Sequence, residues 1–474
     1  MYMDNLQQEV AKRLKAASAF SLCPLDGRYV GIATSLWPYF STFALQAHRT
    51  VVEVEWFIAL TEQLSSSDIL KEYDPEMNLI LRSISEEFSL DDFEEISDIE
   101  KETNHDVKSV EIFLQRRFKA LGLEKFTSFI HFGCTSEDIT NLAYGLMIKS
   151  ALNDVIIPEM EAVSEKIYDF ALEYASTPML AHTHGQKATP TTVGKEFMVY
   201  ASRLSEVIEN LKCIPIYGKF NGATGNYSAD SVAFPEENWP EIAEDFVTGH
   251  IGLEFNPVTT QIEPHDYICE ICDAVRHFNN ILIDFDLDMW LYISMDYFKQ
   301  IPVKGEVGSS TMPHKVNPIR FENSEASVWF SNAVLLALSD KLPRSRMQRD
   351  LSDSATMRNL GMALGYSLQA IRQTLGGLKK VEVHTDVIKN DLDNSWEVLA
   401  EPIQTMMRKY GMSEAYNTLK EMTRGKDISQ EDILKFVASL SFLSAEDKET
   451  LSRLTPATYI GYAAYIAEEY FSYK

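Results

Sequence analysis

After Pro264 the chain places apolar side chains at Ile268, Ile271, Val275, Phe278, Leu282, Phe285 and Met289, at alternating intervals of three and four. That seam predicts one long helix whose apolar stripe is covered by partner helices. Met160, Val163, Ile167, Phe170 and Tyr174 repeat the spacing, and Val193, Phe197, Ala201, Leu204 and Ile208 carry it on after Pro190. The segments from Pro318 to about Ser339 and from Met357 to about Leu378 also read as helix. A helix of about 35 residues would span about 50 Å. Strand signals are few and local, and no alternation of strand and helix suggests a doubly wound sheet. The pattern predicts an all-α chain with three domains, a central long-helix bundle flanked by two smaller helical parts. The expected division is 1–126, 127–381 and 382–474. A helical segment ends around Leu121 before the first boundary, and a more charged region begins near Val381.

Composition narrows the function classes. Seventy acidic residues against forty-three basic ones leave a formal charge of −27. Phosphate backbones are held by basic surface, so a general nucleic-acid binder is excluded. The five cysteines, Cys23, Cys134, Cys213, Cys269 and Cys272, are scattered and odd in number, a reduced pattern expected of the cytoplasm. No run reads as a signal peptide or a membrane span. Even the oily stretch from Ile281 to Ile293 contains Asp284, Asp286 and Asp288.

The richest chemistry lies in Gly308-Ser309-Ser310-Thr311-Met312-Pro313-His314-Lys315-Val316-Asn317-Pro318. Glycine before it and prolines within it predict a non-helical loop that carries hydroxyls, a lysine and an asparagine. Such a loop suits closure over an anionic substrate, although its composition alone fits an ordinary helix connection equally well. The segment resembles the signature loop of the fumarase/aspartase superfamily. Further stretches resemble its bacterial adenylosuccinate lyase family: LDGRY (Leu25–Tyr29), TNHDVK (Thr103–Lys108), HFGCTSED (His131–Asp138), THGQKATP (Thr183–Pro190), TTQIEPHD (Thr259–Asp266), RDLSDS (Arg349–Ser354) and WEVLAEPIQT (Trp396–Thr405). The resemblance covers nearly the whole chain beyond the first twenty or so residues.

The resemblance implies a β-elimination that releases fumarate from adenylosuccinate, giving AMP, and from SAICAR, giving AICAR. This chemistry needs a base for a carbon-bound proton, an acid for the leaving nitrogen and donors for the developing carbanion. It needs no redox cofactor and no metal. By motif position Ser309 is the implied base and His184 the implied acid, with His105 orienting His184 or binding substrate. Arg28, Tyr29, Arg349, Ser354 and Arg358 fall on nucleotide-contacting positions. Thr135 and Ser136 fall on a succinyl-carboxylate position with Lys315 and Asn317 nearby, and Asn104, Asp106, Gln261 and Asn323 on other substrate positions. The family assembles as a homotetramer whose sites draw on three subunits. Another fumarate-releasing member, such as argininosuccinate lyase or a fumarase, shares the signature loop. A non-catalytic structural protein on the same scaffold would have no use for Ser309, His184, His105 and Lys315 together.

Several features point elsewhere and are read conservatively. Cys269 and Cys272 form a CxxC on the predicted heptad helix, which favours apolar packing over zinc. Gly218, Gly222 and Gly225 lack the order of a phosphate-binding P-loop and predict a tight connection. His182 matches no motif and reads as structural. Lys187 stands where close relatives usually carry proline, and Gly133 where they often carry alanine. The residues before Pro24 receive no role.

Overall fold

The structure, a computed structural model, describes residues 21–64, 66–308, 310–425 and 428–469. Ser309 lies outside the described residues. Helices dominate, and the seams read from the sequence are their buried faces. All seven apolar residues from Ile268 to Met289 are buried along the helix Asp266–Ser294. Helix Ile157–Glu173 buries Met160, Val163, Ile167 and Phe170, and helix Val193–Lys212 buries Val193, Phe197, Ala201, Leu204 and Ile208. The latter starts where the Thr192 hydroxyl accepts the Lys195 N–H at 3.1 Å, satisfying one donor of the first turn.

The segment expected as helix from Met357 to about Leu378 is helical from Leu360 to Leu378, and a separate short helix, Ser352–Met357, precedes it. Asn359 stands at the break, and its side-chain amide donates to the carbonyls of Ala355 and Thr356. Local competition of this kind with the helical ladder is characteristic of asparagine. Among the described residues, the strands form three two-stranded sheets. Cys272 is buried on its helix, and Cys269 donates to the His265 carbonyl at 3.3 Å. Among the described residues, no helix is long and apolar enough to cross a membrane.

The chain divides into two compact units. The first comprises the described part of Met1–Met160 with Val207–Asn280 and Ala326–Ile371. Its organising element is the helix Thr42–Gln63, begun by Ser41, whose hydroxyl accepts the Ala44 N–H at 3.0 Å. That helix packs on Ser136–Ala151. Phe57 meets Tyr73 and Phe118 edge-on, and Trp56 meets Phe220 and Phe246. Such ring pairs add about 0.5–1.5 kcal/mol each beyond their buried area.

The second unit comprises Glu161–Glu206, Ile281–Glu325 and the described part of Arg372–Lys474. Phe170, Phe197 and Phe298 stack, and Phe285 meets Phe197 edge-on. Strand Pro178–Thr183 pairs antiparallel with Gln186–Thr192, and Phe298–Gln300 pairs with Val381–Val383. Toward the C-terminus, Leu399, Ile403, Met407, Leu419, Ile433, Val437 and Leu451 form a separate hydrophobic cluster.

Candidate active site

In the first unit, helix starts and turns gather charged side chains. Asn104 ends the helix Leu90–Thr103 in the left-handed region, at φ +51°, which asparagine tolerates. His105 follows as the N-cap of Asp106–Ala120, its Nδ1 accepting the Lys108 N–H at 3.1 Å. That bond fixes the tautomer, so the neutral ring carries its proton on Nε2. Asp106 pairs with Arg49 at 2.8 Å and with Arg358 at 3.5 Å. Burial works against its charge, but Arg49 and then Arg358 hold the carboxyl below the usual carboxylate range.

The RDLSDS and TTQIEPHD stretches meet the helix that starts after Thr135. The guanidinium of Arg349 donates to Gln261 at 3.2 Å and to the buried Glu137 at 2.8 Å, and reaches Ser354 Oγ at 3.5 Å. Burial pushes the Glu137 carboxyl up, and Arg349 opposes that rise. His265, itself buried, stands 3.8 Å from Asp353 and 3.7 Å from Glu263. Arg49, Tyr144, Ser354 and Arg358 line a pocket of about 420 Å³ with Glu137 and Asp353. Around it, the buried Nε atoms of Arg49 and Arg349 have no hydrogen-bond partner among the described residues. Unpaired buried donors of this kind suit an anionic ligand.

Thr135 and Ser136 open the helix Ser136–Ala151, whose first turn carries the positive end of the helix dipole. The turn is fixed from below. Asp138 accepts the Thr135 N–H at 2.8 Å through one oxygen. Through the other it accepts the Asn221 N–H at 3.0 Å and pairs with the fully buried Lys219 at 2.7 Å. Arg28 is exposed in the turn before Val30, and Tyr29 packs against Leu25, Ala33 and Tyr366.

The second unit holds the other set. His184 and Gly185 form the two-residue turn of the hairpin, both with positive φ, +53° and +71°. This is the primed-turn geometry that matches strand twist, and a histidine there is held against its preference. The His184 side chain is exposed at the tip. The described part of the signature segment is a loop closed at its base. Asn317 donates to the Gly308 carbonyl at 2.6 Å, and a Cβ on Gly308 would lie 1.9 Å from the Lys315 carbonyl, so only glycine fits. Lys315, Asn317 and Asn323 line an open pocket of about 1590 Å³ together with Arg320 and Lys380.

A family model described as "Lyase" matches residues 27–328, and one described as "Adenylosuccinate lyase C-terminal" matches residues 345–460. The chain is 47% identical over 457 residues to the adenylosuccinate lyase of Vibrio cholerae, covering 96% of this chain and 99% of that one. The chain belongs to the adenylosuccinate lyase family. The Escherichia coli adenylosuccinate lyase is 47% identical over 460 residues, covering 96% of this chain and all of its own length. Among solved structures, the fumarate lyase from Mesorhizobium sp. BNC1 superposes with a TM-score of 0.74 at 16% identity, over 93% of this chain and 98% of that one. The 3-carboxy-cis,cis-muconate lactonizing enzyme from Pseudomonas putida gives 0.72 at 19%, over 93% and 96%. Those two likenesses concern the fold.

In this member of the adenylosuccinate lyase family, the first unit brings His105, Asp106 and Arg358 into one network, and Gln261, Arg349 and Ser354 into another. Arg49, Glu137, His265 and Asp353 join them, and Asp138 and Lys219 fix the turn at Thr135, although the sequence had not singled these six out as site residues. Four of these had a signal: Glu137 and Asp138 close the HFGCTSED stretch, His265 lies in TTQIEPHD and Asp353 in RDLSDS. Arg49 and Lys219 had none of comparable strength.

Proposed function

We propose that the protein is a cytoplasmic homotetrameric lyase that eliminates fumarate from adenylosuccinate and from SAICAR. The observation that carries this reading is the 47% identity to adenylosuccinate lyases over 96% of the chain. In the reaction, Ser309 takes the proton from the carbon next to a succinyl carboxylate, and the electron pair spreads into that carboxylate. The C–N bond then breaks, and His184 gives its proton to the leaving nitrogen. The exposed tip position of His184 supports this role, because an acid must reach a substrate nitrogen. Lys315 and Asn317 supply positive charge and a donor to the carboxylate where charge develops. Arg349, Arg358, Ser354, Arg28 and Tyr29 take the nucleotide, and Thr135 and Ser136 a succinyl carboxylate. Asn104, His105, Asp106, Gln261 and Asn323 complete the contacts.

Assembly is supported by helix Ile319–Lys341, which is apolar on more than one face. Phe321, Val328, Leu335 and Leu338 are buried, while Trp329 is 65% and Phe330 62% exposed. Large apolar side chains left exposed on a helix whose other face is already packed mark a surface that an assembly can cover. The five cysteines are free, which suits a reducing cytoplasm. The experiment is to incubate the protein separately with adenylosuccinate, SAICAR, argininosuccinate and malate, and to resolve the products by chromatography. Equimolar AMP and fumarate from the first, and AICAR and fumarate from the second, support the reading. Turnover confined to argininosuccinate or malate overturns it.

A further inference from the structure

We propose that Lys187 is a positioning residue that joins the His184 hairpin to the strand leading into the signature loop. The inference rests on the reading of His184 as proton donor. Lys187 lies across the hairpin from His182, two positions beyond Gly185. Its ammonium donates to Asp391 at 2.5 Å and to Ser395 at 2.8 Å. The other carboxylate oxygen of Asp391 accepts the hydroxyl of Tyr297, and Tyr297 is 2% exposed. The His182 ring stands edge-on to Tyr297 at 6.2 Å. One carboxylate therefore holds two segments. Through Lys187 it holds the hairpin tip, and through Tyr297 it holds the start of Phe298–Gln300, the strand from which the chain enters the Gly308–Pro318 loop.

The chemistry of the pair suits that task. Asp391 stays ionised: burial opposes its charge, but Lys187, Tyr297 and His182 together keep its carboxyl below the usual carboxylate range. A charged bridge fixes distance and direction more tightly than an apolar contact does. It stands beside a turn where His184 is already in a disfavoured backbone conformation, at φ +53°. A hairpin tip carrying such a residue tilts readily unless a strand next to it is tethered. Thr189 adds a second tether lower on the same strand, donating to Glu401. The backbone conformation makes the turn, and Lys187 sets where the turn points.

The test uses the full-length protein and four variants: Lys187→Met, Lys187→Arg, Asp391→Asn and the double Lys187→Met/Asp391→Asn. With adenylosuccinate, Lys187→Met is expected to lower kcat about tenfold with KM within about twofold, since small misplacements of reacting groups act on the chemical step. Lys187→Arg is expected to recover most of that loss. The double variant should be no slower than the slower single variant, as for one shared interaction. Hydrogen–deuterium exchange of the Lys187→Met protein, read without substrate, should quicken both in peptides covering 180–190 and in those covering 298–308. Unchanged kcat in Lys187→Met, losses that multiply in the double variant, or faster exchange confined to 180–190 would each overturn the proposal. A wild-type protein without turnover on adenylosuccinate would instead fail the functional reading, and the exchange pattern would still decide the link between the two segments.

Discussion

Arg349 donates to the buried carboxylate of Glu137 at 2.8 Å across 212 positions of sequence. The contact ties the RDLSDS stretch to the first turn of the helix begun by Thr135, two segments expected to hold different parts of one substrate. The Nε edge of Arg349 has no hydrogen-bond partner among the described residues, so the contact orients the guanidinium before any ligand arrives.

Removing that guanidinium has a stability consequence as well as a binding one. Arg349→Met leaves Glu137 buried and uncompensated, and breaking a buried pair typically costs about 3 kcal/mol. Urea unfolding of Arg349→Met should show a loss of that order. The double variant Arg349→Met/Glu137→Gln should regain much of the stability while its KM for adenylosuccinate stays high. A single variant as stable as the wild type would contradict the pairing.

Gly133 is required by its neighbour as well as by its backbone. Its φ is +71°, and a Cβ there would sit 1.7 Å from an oxygen of Asp230. Gly133→Ala should therefore destabilise the chain by about 2 kcal/mol from steric displacement and backbone strain combined. Adding Asp230→Ser should return part of the loss, and thermal melting of the three variants measures this. Equal melting temperatures for Gly133→Ala and wild type would show that the close approach is not maintained in solution.

Asp230 also predicts a pH dependence. Burial, with Asp138 adding to it, pushes its carboxyl from 3.8 up to about 6. The unfolded chain therefore releases this proton at lower pH than the folded chain does. The stability that Asp230 supports falls as pH rises from about 4 through about 6. Asp230→Asn does not titrate, so its melting temperature relative to wild type should climb between pH 4.5 and pH 7.5. A constant difference would contradict the raised value.

If sites are shared among subunits, variants defective in different segments should complement. Ser309→Ala and His184→Ala proteins, each expected to be inactive, would regain activity when dissociated together and reassembled, because some hybrid sites receive both intact groups. Activity no greater than that of either variant alone would argue that each chain carries a complete site.

The long helices were legible because burial on one face imposes a period of three and four, and Ile268 through Met289 obey it without exception. The break at Asn359, which starts that helix at Leu360 and not at Met357, was not legible, since it depends on one side-chain amide competing with the helical ladder. The motifs located Arg349, whereas Glu137 and His265 lay inside the quoted stretches without being singled out. They gave no sign that Arg349 would pair with Glu137, a contact made only when distant segments fold together. Arg49 was invisible for the opposite reason. It sits in a helix of mostly apolar residues, where one arginine resembles a solvated position, yet it is 4% exposed and paired with Asp106. Lys187 was noticed as a departure, but its partner Asp391 lies 204 positions away.

The most direct test of the central claim follows turnover of adenylosuccinate by wild type, Ser309→Ala and His184→Ala in one assay, with ligand binding measured alongside. The account predicts equimolar AMP and fumarate from wild type. It predicts a loss of about 10²–10⁴-fold in kcat for His184→Ala, and a comparable or larger loss for Ser309→Ala. Both variants should stay folded and still bind the nucleotide. A wild type that makes no fumarate, or variants that turn over at the wild-type rate, would contradict it.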